Sequence, residues 1–221
     1  MKNNAQKRRR RLPSASFSIF FSLDKASDEL IRSLAAEIKK RFDTEFVFDG
    51  ERYGPHITLY LFSAPLRNRQ RLIEEVEKLA QDSRQLKLTI EEIVAFKDGW
   101  VVAILERHRE IYRYHVRTIE AVNALRQGYL RSKYRDKESL TSLPIREQKN
   151  LLRYGDRHAK GLFVPHVPLS KSRSQEDAEK ISNYARGNLV GRKIVTDSLV
   201  LTRDVGGENA GTRVLFKKEL S

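Results

Sequence analysis

Two short strings set the chemistry open to this sequence. Tyr53-Gly54-Pro55-His56-Ile57-Thr58-Leu59-Tyr60 and Phe163-Val164-Pro165-His166-Val167-Pro168-Leu169-Ser170 each place a Pro-His step before an apolar stretch of strand character. Side chains at i and i+2 of a strand share a face. His56 therefore shares a face with Thr58, and His166 with Pro168, while Ile57 and Val167 turn to the core. One imidazole from each of two matching strands can flank a phosphodiester. The neutral ring takes a proton from water or a hydroxyl, and the charged ring gives one to the departing oxygen. A ring pKa of about 6.5 makes both forms available near neutrality. The Thr58 hydroxyl can donate to a phosphate oxygen. This chemistry requires no metal and no cofactor, and none is expected.

The remaining histidines lack that context. His108 and His115 stand seven apart in a basic helical stretch and read as a solvated helix face. His158, in Gly155-Asp156-Arg157-His158, reads as a loop residue. Tyr53, Tyr60 and Phe163 lie beside the motifs and are candidates to stack on a base. The absence of cysteine excludes disulfides, thiolate metal sites and cysteine nucleophiles.

The elements that must position the histidines follow from periodicity. Phe17 to Leu23 reads as a strand. Leu30, Ile31, Leu34, Ala35 and Ile38 form one stripe of a helix from Asp24 to about Phe42. After a turn at Asp49-Gly50 comes the first histidine strand, to Phe62. A helix from about Leu66 to Gln81 follows. Leu86, Leu88 and Ile90 then alternate as a strand, Lys97-Asp98-Gly99 marks a hairpin, and Trp100 to Leu105 returns. A basic helix spans about Arg107 to Leu125.

The order then repeats. Phe163 to Ser170 is the second histidine strand. Ser174 and Asp177 open a helix, Ile194 to Thr202 is a strand, Gly206-Gly207 sits in a loop, and Val214 to Leu220 returns. Each histidine strand follows a long helix and precedes helix, strand, strand. The expected fold is α+β, a bilobal pseudo-two-fold duplication in which two antiparallel sheets line a central groove with helices outside.

The net charge of +14 is unevenly spread. Residues 1–11 carry +6, residues 126–160 carry another +6, and the rest of the chain only +2. The expected organisation is a basic disordered tail over 1–15 and a single bilobal domain over 16–220, interrupted by a basic insertion at 126–160. The N-terminus reads as a tail leading into the first strand rather than as a secretory leader. The insertion reads as loop plus a short helix, about Leu143 to Leu152. Such basic blocks attract polyanions, nucleic acid above all. No apolar run is long enough to span a bilayer. A cytoplasmic monomer with no membrane partner is expected.

With these residues in hand, the chain resembles the 2H phosphoesterase superfamily, the 2′-5′ RNA ligase or LigT-like family, from about Ser16 to Leu220. His56-Ile57-Thr58-Leu59 matches the family's His-x-Thr/Ser-hydrophobic motif, and Val164-Pro165-His166-Val167-Pro168-Leu169 is similar to the second motif. The resemblance implies two motif histidines facing each other across a groove. It also implies metal-independent opening of cyclic phosphates, or cleavage of 2′-5′ linkages, on RNA ends or cyclic nucleotides. His56 and His166 become the proton-transfer pair and Thr58 a phosphate ligand. Pro168 departs from the pattern, because the family has Thr or Ser there. Ser170, two positions on, can replace the missing phosphate contact only if the strand bulges or the substrate sits displaced. Two other readings use the same groove: a module that binds RNA ends or nucleotides without turnover, and 2′-5′ ligation, the reverse reaction.

Overall fold

In the computed structural model, which describes residues 13–51, 53–205 and 211–221, the two halves of the chain have one plan. The first runs β1 (Ser14–Leu23), α1 (Lys25–Arg41), β2 (Thr44–Val47), β3 (His56–Pro65), α2 (Arg69–Gln81) and β4 (Lys87–Ala95). The second runs β5 (Trp100–Leu105), α3 (Arg109–Val122), α4 (Lys137–Thr141), α5 (Ile145–Tyr154), β6 (His166–Ser172), α6 (Gln175–Leu189), β7 (Lys193–Val205) and β8 (Gly211–Glu219). Setting β2, β8 and the inserted α4 and α5 aside, each half is strand, helix, histidine strand, helix, strand.

The strands form one antiparallel path, β2-β6-β5-β4-β7-β1-β3, with β8 on β7. The path has two halves joined at a narrow point. β4 pairs with β7 only through Lys87–Thr89, then changes partner and pairs with β5 from Ile90 to Ala95. Each half of the chain therefore gives its last strand to the other lobe: β7 lies beside β1, and β4 beside β5. Helices α2 and α3 cover β3-β1-β7-β8, and α1 and α6 cover β2-β6-β5-β4. This is the duplicated α+β arrangement expected from the repeat.

Local chemistry explains the elements. Asp24 caps α1 by accepting from the Ser27 amide, and Lys39, Lys40 and Arg41 sit at its negative C-terminal end. Ser174 caps α6 in the same way through the Asp177 amide. In β1 the alternate residues Phe17, Ile19, Phe21 and Leu23 are buried. Burying side chains of this size stabilises the fold by about 1.5–3 kcal/mol each.

Several expectations are corrected. β1 begins at Ser14, so the last residues of the expected tail are part of the sheet. Residues 1–12 and the Gly206-Gly207 loop lie outside the described residues. β2 has no counterpart in the sequence reading, since four residues are too few to show an alternation. The second histidine strand starts at His166, because Lys160–Leu162 form a 3-10 turn and Pro165 can donate to no ladder. The insertion holds two helices, and Arg126 at its start is buried. Its guanidinium donates to the carbonyls of Tyr129, Leu152 and Arg153. Its charge organises the insertion's backbone rather than the surface. Among the described residues no helix is long and apolar enough to cross a membrane.

Candidate active site

β3 and β6 pack against each other without sharing a hydrogen-bond ladder. The two histidines are held in matching ways. His56 Nδ1 lies 2.9 Å from the Gly54 carbonyl, and His166 Nδ1 lies 2.8 Å from the Val164 carbonyl. A carbonyl only accepts, so Nδ1–H donates in both rings, and Nε2 is the open nitrogen with a lone pair when the ring is neutral. The Pro-His step builds this geometry. A residue before proline is held extended, and here it presents its carbonyl to the ring two residues on.

Both strands also carry a β-bulge at the same place. β3 pairs Thr58 with Phe20 but Tyr60 with Ile19, so Leu59 is the extra residue. β6 pairs Pro168 with Val102 but Ser170 with Val101, so Leu169 is the extra residue. In each strand the histidine and the residue two further on share a face: His56 and Thr58, both half-buried, and His166 and Pro168, half-buried and buried. The fourth residue after the histidine is turned to the core side.

That bulge corrects two sequence readings at once. Tyr60 is fully buried, stacked on Phe62 at 4.6 Å, and its hydroxyl bonds to the Tyr154 carbonyl and to Asn123. It offers no face to a base. Ser170 is fully buried on the side of Val101 and Val47, with its hydroxyl unpaired within the protein, so it cannot stand in for the missing donor at Pro168. Lys171, the next residue, lies opposite Phe46 and Trp100. Phe163 is buried as well, stacked on His115. Tyr53 stays half-buried beside the motif, 5.4 Å from Phe46 and 5.7 Å from Phe48.

Sequence reasoning missed the wall around His56. Phe20 lies 4.8 Å from its ring and Phe48 5.8 Å. Phe46, Phe48, Tyr53 and Trp100 form one aromatic cluster, with Phe46 5.5 Å from Trp100. The alternation Phe46-Val47-Phe48 is the available signal. His115 departs from its sequence reading: it is 1% exposed and bonded through both ring nitrogens, not part of a solvated face. His108 caps α3 by accepting from the Glu110 amide.

Burial pushes the pKa of both motif histidines below the ordinary 6.5, against the opposing effect of their carbonyl partners. Their remaining influences differ. The charge of His166 lowers His56 further, whereas the Asp156 carboxylate favours a proton on His166. Asp156 is itself raised by burial, opposed by the His158 amide and by the charges of His158, Arg131 and Arg157. His158 is lowered by burial and by Arg157, and also by His166, so it stands near the second motif histidine. Among the described residues, no group of three or more His, Asp or Glu is placed to share a metal ion.

The lead-in to each histidine is held by the helix before it. Ahead of His56, Lys39 of α1 lies 3.1 Å from Asp49 Oδ2 and 2.7 Å from Glu51 Oε2. The Arg32 guanidinium fills the space a Cβ on Gly50 would need, at a φ of +91. Ahead of His166, His115 of α3 binds the Lys160 amide at 2.8 Å, and Gly155, at a φ of +75, packs against the Arg126 side chain.

No family model matches the chain, and no curated protein matches it. Solved structures do. The chain is similar to TT0787 of Thermus thermophilus, with a TM-score of 0.57 and 14% identity over 93% of this chain and 97% of that one. It is similar to E. coli LigT in apo form, with a TM-score of 0.55 and 12% identity over 95% and 99% of the two chains. It also matches E. coli LigT complexed with phosphate, at 0.54 and 10% over 94% and 98%, and a structure described as a phosphoesterase, at 0.53 and 12% over 95% and 99%. With nearly the whole of both partners superposed in each case, the chain has the fold of the 2H phosphoesterases.

Proposed function

We propose that this chain is a metal-independent phosphodiesterase that hydrolyses 2′,3′-cyclic phosphate ends of RNA, or cyclic nucleotides, through His56 and His166. One observation carries the reading: both imidazoles have Nδ1 tied to the carbonyl two residues earlier, leaving Nε2 of each for proton transfer. A pair sharing one proton holds a base and an acid at the same time. Asp156 favours that proton on His166, and the charge there disfavours a second proton on His56. His56 is then the base that takes a proton from the attacking water. His166 is the acid that protonates the ribose oxygen as its bond to phosphorus breaks. By microscopic reversibility the same pair serves ligation, but abundant water favours hydrolysis.

Thr58 supplies a hydroxyl donor to the phosphate from the first strand. The half-buried aromatics Tyr53, Phe46 and Trp100 offer ring faces to the base. LigT, similar in fold, has been crystallised with phosphate and with 3′-AMP, which suits a phosphate-and-nucleotide groove here. Pro168 supports the second reading, a module that binds nucleotide or RNA ends without turnover, since it places no donor on the groove face of β6.

The test is hydrolysis, in EDTA, of an oligonucleotide ending in a 2′,3′-cyclic phosphate and of a cyclic mononucleotide. Turnover of either that vanishes in His56→Ala is expected. No turnover of either, with oligonucleotide still bound, would replace this reading with the binding module.

A further inference from the structure

His115 is a buried titratable side chain that the proposed proton transfer does not use. It projects from α3, which covers the sheet containing β3. Its Nδ1 lies 2.6 Å from the carbonyl of Leu59, the bulge residue three past His56. Its Nε2 accepts from the Lys160 amide at 2.8 Å, in the turn that leads into β6. Its ring lies on Phe163, three residues before His166, with centroids 3.9 Å apart and planes 6° apart.

Lys160 itself is held in a left-handed conformation, with φ of +54. A non-glycine residue keeps such a backbone only where its surroundings fix it. Beyond its amide, the Lys160 ammonium lies 3.1 Å from Glu120 Oε1 and 5.3 Å from the Tyr154 ring. One rigid ring thus bonds the strand of the first motif with one nitrogen and the lead-in of the second motif with the other. The equivalent carbonyl on β6, that of Leu169, accepts from the Phe48 amide at 3.0 Å and stays within its own lobe.

We propose that His115 is a positioning residue that sets the separation of His56 and His166. No ladder joins β3 to β6, and a ring of fixed width bonded to β3 at Leu59 and to the turn ahead of β6 at Lys160 takes the ladder's place. Donation at Nδ1 and acceptance at Nε2 are both needed, a combination that neutral histidine supplies in one tautomer. The proposal rests on the reading of His56 and His166 as an acid–base pair, in which a misplacement of about 1 Å costs up to about a hundredfold in rate.

The test uses His115→Phe, which keeps a ring on Phe163 and loses both hydrogen bonds, and His115→Gln, which keeps one donor and one acceptor. On the cyclic-phosphate oligonucleotide, at a temperature where each variant is folded, His115→Phe is expected to lose about ten- to a hundredfold in kcat with KM little changed. His115→Gln is expected to recover part of that loss. In parallel, NMR titration of the His56 and His166 rings reads how far a proton on one lowers the other, and His115→Phe is expected to change that coupling. Unchanged kcat and unchanged coupling in both variants, with only a lower Tm, would overturn the proposal. If the wild-type protein turns over neither substrate, the acid–base reading fails, and the coupling alone decides whether His115 sets the spacing.

Discussion

The lead-ins to His56 and His166 occupy equivalent places in the duplicated fold but are secured by opposite means. The first is held by charges at the surface: Lys39 on Asp49 and Glu51, and Arg32 over Gly50. The second is held inside, by a neutral imidazole bonded at both nitrogens, beside a surface ion pair from Lys160 to Glu120. Exposed ion pairs are weak and screened by salt, whereas buried hydrogen bonds resist salt but fail when a partner changes protonation state. One approach should therefore answer to ionic strength and the other to acid.

The largest effects that can break this comparison lie in the motifs themselves. His56→Ala and His166→Ala are each expected to cut kcat by about 10²–10⁴-fold, the range for losing a general acid or base. Similar losses in both would match the paired geometry, while an intact rate in either would remove it. Next comes the position two past each histidine, where the first motif has Thr58 and the second Pro168. Thr58→Val is expected to lower kcat/KM by about ten- to a hundredfold, as a lost charge-assisted hydrogen bond does. Pro168→Thr is expected to raise it by about tenfold. No gain from Pro168→Thr would mean that the second strand does not face the phosphate.

The pH dependence of stability separates the two lead-ins. Burial lowers His115 to about 4 from the ordinary 6.5. The unfolded chain then takes up the proton first, so this residue's contribution is whole above about pH 6.5 and is lost as pH falls toward about 4. The loss amounts to about 3 kcal/mol. Denaturation across that range is expected to show a slope that His115→Phe reduces by about one proton, the rest belonging to His56, His158 and His166, which burial also lowers. An unchanged slope would mean that another group sets the acid sensitivity. Lys39→Ala is expected to give the smallest effect, a slight fall in Tm at low salt that disappears near 1 M salt.

Much of this is legible in the sequence because the signals are periodic or paired. The long helices, the hairpin after Gly99 and the duplicated order come from apolar spacing, and the two Pro-His steps stand out by their repetition. What fails does so at one physical point. The alternation rule holds only while a strand is regular, and both motif strands bulge one residue before Tyr60 and Ser170. Alternation puts each of them on the wrong face for the same reason. His115 fails for another: seven-residue spacing marks a helix face, but only tertiary packing shows that the sheet covers it. Trp100, Phe46 and Phe48 come together through strand order β2-β6-β5, a long-range pairing no local pattern reveals.

The most direct test of the central claim is the titration of the His56 ring by NMR, in the wild-type protein and in His166→Ala. If the two imidazoles face each other as an acid–base pair, removing His166 raises the His56 pKa, because the charge that lowers it is gone. The neutral His56 ring should also carry its proton on Nδ1. A His56 pKa indifferent to His166, or a ring protonated at Nε2, would contradict the account.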